Sequence, residues 1–273
     1  MGALESTVMS IPAGEAPGWS GTALGLLEGA VRRHGGWDAW RALRAVVVQP
    51  RSLSGLVPFS KGYGRTFRLP PRAEIEPHEG RAVFDDYPAP GASGTFARGT
   101  LSLADPRGAV VASVENGRAS FRGLRKLRRW SAADALYFFG YALTHYHALP
   151  FTLGRGRPLG IRRARYEGRW LTGVEVELPA ELHAHTRCQT FYFEDDGLLR
   201  RHDYVADIIG PWARGAHFWS GFVTVGGLEM ATVRHVVLRL GRRATPVVAL
   251  HAELALSSER DPASPSDAVQ QRR

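Results

Sequence analysis

Residues 131–151, SAADALYFFGYALTHYHALPF, read as a helix with almost no polar face. Ser131 followed three residues later by Asp134 is a helix-start signature. Leu136, Phe139, Leu143 and Tyr146 form one stripe, and Tyr137, Phe138, Tyr141 and His145 cover much of the remainder. A helix that is apolar on all sides is normally buried. This one is too short to span a bilayer comfortably and carries His145 and His147. The rest of the chain must therefore supply a wall that surrounds it.

That wall reads as strands. From Val46 to Phe121 short runs such as AVVVQ, RTFRLP, RAEIEP, GRAVFDDY, GTLSLAD and AVVASVE are separated by Gly, Pro or Asn-Gly turns, with no helix between them. Hairpins are predicted at Asn116-Gly117, Glu167-Gly168 and Gly226-Gly227. In QTFYFEDDGLLRRHDY, residues 189–204, the turn falls at Asp195-Asp196-Gly197. Strict alternation puts Leu198, Arg200, His202 and Tyr204 on one side of the second arm and Leu199, Arg201 and Asp203 on the other. Ahead of the strands, GTALGLLEGAVRRH reads as a helix stopped by Gly35-Gly36, and WDAWRALRAV adds a short helical turn with Trp37, Trp40 and Leu43. The predicted fold class is mainly β (α+β): a large curved antiparallel sheet, or incomplete β-barrel, with an N-terminal helix and a buried central helix. A loose arm over 1–19, one domain over 20–256 and a Ser/Pro-rich, disordered tail over 257–273 complete the expected organisation.

The charge balance, 35 Lys plus Arg against 26 Asp plus Glu for a net +9, comes mostly from scattered arginines. That suits a solvated surface or, less specifically, anionic partners. One local run, Arg122, Arg125, Lys126, Arg128 and Arg129, is a candidate dock for an anionic group or a carrier protein. Only Phe121 and Trp130 flank it, too few aromatics for a nucleic-acid groove. Cys188 is the single cysteine, which excludes an internal disulfide and a cysteine-rich zinc site; a packed thiol is expected. No apolar run approaches a membrane span and no secretory signal is visible at the N-terminus, so a cytoplasmic location is expected. No metal site and no cofactor are predicted. His145 and His147 lie on opposite flanks of a helix, and His183 and His185 lack a third ligand. Neither a Walker loop nor a Gly-x-Ser-x-Gly elbow occurs.

Three stretches carry a family resemblance. HGGWDAWRALRAV is similar to a Gly-Gly, aromatic, short-helix entry. TFYFEDDGLLRRHDY resembles a Tyr-x-Phe-Asp-x-x-Gly-Leu-Leu hairpin, and VGGLEMATVRHVVL a Gly-Leu-x-x-Pro strand, with Ala231 where proline is usual. Together they resemble the lipoprotein-carrier (LolA/LolB-like) fold, and the chain is similar to uncharacterised actinobacterial proteins with an HGG…W…TFYFDDDGLLRRHDY pattern. The resemblance implies a half-open β-barrel closed by helices around an apolar cavity.

Within such a cavity the scarce polar groups orient a ligand. Tyr141 and His145, four residues apart, share a helix face, or else satisfy each other in the core. His202 is a candidate general acid or base if it faces inward, and an ordinary solvated strand histidine if it does not. Trp130, Phe138, Phe139, Tyr192, Tyr204, Trp212 and Trp219 are candidate ligand-lining residues. The function expected is binding of a hydrophobic small molecule such as a polyketide, isoprenoid or acyl chain. The alternative is a cofactor-independent cyclase, isomerase or dehydratase of secondary metabolism, with His145, Tyr141 and His202 as acid–base groups.

Overall fold

Two helices open the described chain, residues 18–258 of a computed structural model: α1 (Gly21–Arg33) and α2 (Gly36–Ala42). His34, between them, is a staple. Its Nδ1 donates to the carbonyl of Glu229 at 2.9 Å and its Nε2 accepts from the Leu199 amide at 3.1 Å. Trp19 Nε1 donates to the Gly156 carbonyl at 2.8 Å and its ring is buried. The predicted arm over 1–19 thus ends in an anchored tryptophan, and its first 17 residues lie outside the described chain.

The chain continues through β1 (Val46–Ser54), α3 (Leu56–Lys61), β2 (Ala73–Glu76), β3 (Arg81–Asp85), β4 (Ser93–Ala97), β5 (Thr100–Ala104) and β6 (Val110–Val114) to α4 (Ala132–His147). It then runs β7 (Arg157–Tyr166), β8 (Arg169–Glu177), β9 (Cys188–Phe193), β10 (Leu199–Val205), β11 (Arg214–Val225), β12 (Leu228–Leu240) and β13 (Arg243–Ser258). All of these strands join one sheet in the order β6-β5-β4-β3-β2-β1-β13-β12-β11-β10-β9-β8-β7, every pairing antiparallel. Two meanders are zipped together where β13 returns to β1. β6 and β7 are the unjoined ends, so the barrel is incomplete, as expected.

The helix α4 shows that the sheet is curved. Ser131 caps it with a reciprocal box: the Ser131 hydroxyl accepts from the Asp134 amide at 3.2 Å, and the Asp134 carboxylate accepts from the Ser131 amide at 2.9 Å. On one flank α4 packs on β2 to β5, where the Tyr137 and Phe96 rings meet 5.9 Å apart. Gly140 makes that approach possible, because a Cβ there would stand 2.4 Å from Phe96 Cβ. On the other flank the Tyr146 ring lies 4.9 Å from His217 on β11, and His145 lies 6.0 Å from His202 on β10. One helix touches strands near both halves of the sheet only if the sheet wraps around it. No helix among the described residues is long and apolar enough to cross a membrane.

Several local expectations are corrected. Helix α3 interrupts the first meander, and RTFRLP forms turns with an isolated Tyr63–Phe67 bridge instead of a strand. Asn116-Gly117 starts a single 3-10 turn over 117–120 rather than a hairpin. The Asn116 side chain accepts from the Ala119 amide, a local bond that competes with strand pairing. Cys188 is exposed at the start of β9 rather than packed. The alternation in the second arm of the 189–204 hairpin is broken at Arg200. Leu199 pairs with Phe193, yet His202 pairs with Phe191, so a bulge puts Leu199 on the same face as His202. Strand β13 also reaches Ser258, two residues past the expected domain end; the remainder of the expected tail, 259–273, lies outside the described residues.

Candidate functional site

The inner face of β9 to β13 carries two registered rows. Phe191, His202, His217, Val236 and Leu250 are successive cross-strand partners, as are Trp219, Arg234, Ala252 and, on β1, Leu53. Cross-strand partners share a face. Helix α4 lays Tyr141, His145, Tyr146 and His147 over these rows, and the loop after β8 inserts His185 between them. The result is a buried polar cluster within an aromatic core.

Its hydrogen bonds run in short chains. Tyr141 Oη meets His185 Nδ1 at 2.8 Å and Tyr146 Oη meets His185 Nε2 at 2.5 Å, so His185 bridges two helix tyrosines. Tyr204 stacks flat on His185 at 3.9 Å. His202 stacks on Phe191 at 4.5 Å and donates from Nε2 to Gln189 Oε1. His147 donates from Nδ1 to the Leu143 carbonyl at 2.8 Å. Arg118 positions the His185 loop by donating to the carbonyls of Ala184 and His185 and to both carboxylate oxygens of Asp207.

Several groups in the cluster find no partner among the described residues: His145 Nε2, His147 Nε2, His202 Nδ1, both ring nitrogens of His217, Trp219 Nε1, and Nε and Nη1 of Arg234. Burial holds the histidines neutral. It lowers His145 to about 4, against a smaller upward pull from Gln189. Burial, reinforced by the Arg234 charge, lowers His147 to about 3. His185, His202 and His217 are pushed well below the ordinary value by the same desolvation. Tyr141 and Tyr146 are raised well above theirs and Tyr204 to about 12, again chiefly by burial. The cluster is thus a set of neutral imidazoles and phenols at neutral pH.

Arg234 is the exception, a cation in that setting. It is 4% exposed and has no carboxylate partner among the described residues. Its guanidinium lies 3.9 Å from the Trp219 ring centroid and 5.5 Å from that of Tyr146. A desolvated cation–π contact is worth about 2 kcal/mol, whereas burying an ion costs several kcal/mol even after relaxation. The ring contact therefore leaves the charge under-compensated, and desolvation lowers the group to about 10.

Hollows adjoin the cluster on both sides of α4. Beneath α4 a narrow apolar slot of about 70 Å³ is walled by Val48, Phe84, Phe138, Ala142, Val236 and Leu250, among others. Half-buried Pro50, Leu69, Leu143 and Leu254 stand at its outer end; buried Tyr204, His217 and Arg234 close the inner end. At the other side of α4 an open cleft of about 850 Å³ is lined by Trp37, Trp40, Phe151, His145 and His183, with Arg41, Arg98, Arg155 and Glu181 around it. Trp40 and Phe151 stack there at 4.7 Å.

The expected site residues separate accordingly. Phe138, Phe139 and Tyr204 line the slot, and His145 lines the cleft. Tyr141 and His202 sit in the cluster and line neither hollow. His202 faces inward, not toward solvent. Trp130 packs on Phe138 at 4.7 Å, and Trp219 lies under Arg234. Tyr192 points to the opposite face from His202, beside the Arg201–Asp203 pair, because it neighbours Phe191 in β9. Trp212 is 51% exposed. In the basic run, Lys126 donates to the Asp207 carbonyl at 2.6 Å, while Arg122, Arg125, Arg128 and Arg129 are exposed. Sequence reasoning places Tyr146 only in an apolar helix stripe and His185 only in a His-x-His pair, and it does not reach His217 or Arg234. Among the described residues no group of His, Cys, Asp and Glu is arranged to hold a metal ion.

No family model matches the chain, and no curated protein matches it in sequence. Among solved structures it is similar to a LolA superfamily protein from Nitrosomonas europaea, the family that its hairpin motifs resemble, at 11% identity with a TM-score of 0.48, over 89% of this chain and 96% of that one. It is also similar to a DUF1329 family protein from Desulfovibrio piger at 12% identity with a TM-score of 0.44, over 89% of this chain and 97% of that one. At these values neither structure bears on chemistry, and the function must come from the slot, the cleft and the polar cluster between them.

Proposed function

We propose that the protein binds a hydrophobic small molecule with a single acyl chain, taken up in the slot beneath α4. The observation that carries this is the make-up of that slot: apolar along its length, ending on buried polar groups that lack partners. Buried polar atoms are normally satisfied, so unsatisfied ones at the end of an apolar channel mark a place where a guest completes the bonding. The volume discriminates among guests. Pockets for compact drug-sized ligands run to about 300–1,000 Å³. At about 70 Å³, the room of about two waters, the slot as it stands excludes a rigid fused ring system, and a flexible chain enters it only by parting the half-buried side chains of Leu69, Leu143 and Leu254.

The test is uptake of the neutral fluorophore N-phenyl-1-naphthylamine and its displacement by dodecanol, below the micellar range of the competitor. Replacement of half-buried, slot-lining Ala252 by Trp should block uptake while leaving the melting temperature nearly unchanged. Probe uptake by the folded A252W protein equal to that of the parent would count against the slot.

A second reading has one specific observation behind it. His145 is the member of the neutral cluster that lines the large cleft, and its Nε2 is unpartnered. A substrate that reaches this buried nitrogen from the cleft would meet a neutral imidazole, a weak base at about 4, as the proton acceptor that a cofactor-independent isomerase, cyclase or dehydratase requires. Loss of turnover in a folded His145→Gln protein, with probe binding intact, would favour this reading over simple carriage.

A further inference from the structure

We infer that the guest of the slot is an anionic amphiphile whose charged head group seats against Arg234. This rests on the acyl-chain reading and names the head-group chemistry that the same site selects. Arg234 lines the inner end of the slot, is almost fully buried, and has Nε and Nη1 without hydrogen-bond partners. Among the described residues no Asp or Glu lines the slot. Asp203 on β10, two strands away from Arg234, faces the other side of the sheet, where Arg201 at 2.7 Å and Arg239 at 3.2 Å occupy it. The phenols that face the guanidinium are held protonated by burial, so Tyr146 is no counter-ion. The nearby imidazoles are neutral and offer no negative charge. His217, with both ring nitrogens unpartnered, stands in the same end wall and supplies an N–H donor beside the guanidinium.

The arrangement is what an acidic head group needs. A fixed cation and a neutral donor lie among the buried lining residues of the slot, and apolar side chains make up most of the rest of its wall. An ammonium head would meet like charge there, and a hydroxyl head would leave the guanidinium uncompensated. Arginine stays protonated under ordinary conditions, so the site remains cationic and selects by charge.

The experiment compares dodecanoate, dodecanol and dodecylammonium as competitors for the neutral probe on the full-length protein near neutral pH. Dodecanoate is expected to displace the probe at concentrations at least tenfold lower than dodecanol, with dodecylammonium the weakest. In Arg234→Leu the carboxylate advantage should vanish while dodecanol competes as before; Arg234→Lys should retain part of it. Equal competition by dodecanoate and dodecanol on the parent protein overturns the head-group inference and leaves apolar binding standing. Failure of all three to compete overturns apolar binding in the slot as well. The parent-protein series decides the matter without any variant, should Arg234→Leu not fold.

Discussion

Acid should unfold this protein through its histidines, and the size of the effect follows from their surroundings. Six of the ten are buried: His34, His145, His147, His185, His202 and His217. Burial is the largest cause of the depression in each. His34 and His145 fall to about 4 and His147 to about 3, and the other three go down in the same direction. In the unfolded chain each returns to about 6.5. Below that value the unfolded state binds more protons than the native state, so stability is present above about pH 6.5 and is lost as pH falls toward the native values. At about pH 5 a histidine that is neutral when folded and charged when unfolded costs about 2 kcal/mol, or about 6 kcal/mol for His34, His145 and His147 together. That is a large part of the 5–15 kcal/mol typical of a domain, before His185, His202 and His217 add to it. Geometry supports the sign at His34, whose Nε2 accepts from the Leu199 amide and cannot do so when protonated.

The assay is urea unfolding followed by tryptophan fluorescence at intervals from about pH 7.5 to about pH 5, with proton uptake taken from the slope of unfolding free energy against pH. An uptake of about three protons or more near pH 5.5 is expected, falling by about one in His34→Gln. A change in unfolding free energy below about 1 kcal/mol across this range would mean that the histidines titrate normally and that the cluster is wet, and the description of the site would fall with it.

Three further outcomes are expected. Gly140→Ala, which in an ordinary helix raises stability by up to about 1 kcal/mol, should here lower it by about 1–3 kcal/mol because the new methyl meets Phe96; the melting temperature reports the sign. Arg118→Ala removes the donor to two carbonyls and to Asp207, and should cost about 2 kcal/mol while speeding amide exchange over residues 178–187. Gln189→Leu takes away the acceptor from His202 Nε2 and should destabilise by about 1–3 kcal/mol in urea unfolding, with His202→Phe in the same background recovering part of it.

The architecture was legible where one signal dominated. The cap at Ser131 and the all-round apolar face of α4 demanded burial, and the Gly-marked turns at Glu167-Gly168 and Gly226-Gly227 laid out the second meander. The bulge at Arg200 was not legible, since alternation assumes two residues per repeat and nothing local marks the extra one. Helix α3 is a single short stretch whose placement depends on packing against β1 and β13. The site was half legible for a similar reason. Tyr141 and His145 follow from helical spacing, and Tyr204 and His202 from the hairpin. Arg234 sits among Val233, Val236 and Val237, apolar on both faces, so period two does not say which way it points. His185 lies in a loop positioned by Arg118, 67 residues earlier in the chain, a contact that no local pattern announces.

The most direct measurement is a crystal structure of the protein grown with dodecanoate brominated at its terminal carbon. An anomalous bromine peak near Pro50, Leu69 and Leu254, with the carboxylate within hydrogen-bonding reach of Arg234, is the predicted result. A peak in the cleft beside Trp40 and Phe151, or a slot still empty at saturating ligand, would contradict uptake of a chain beneath α4.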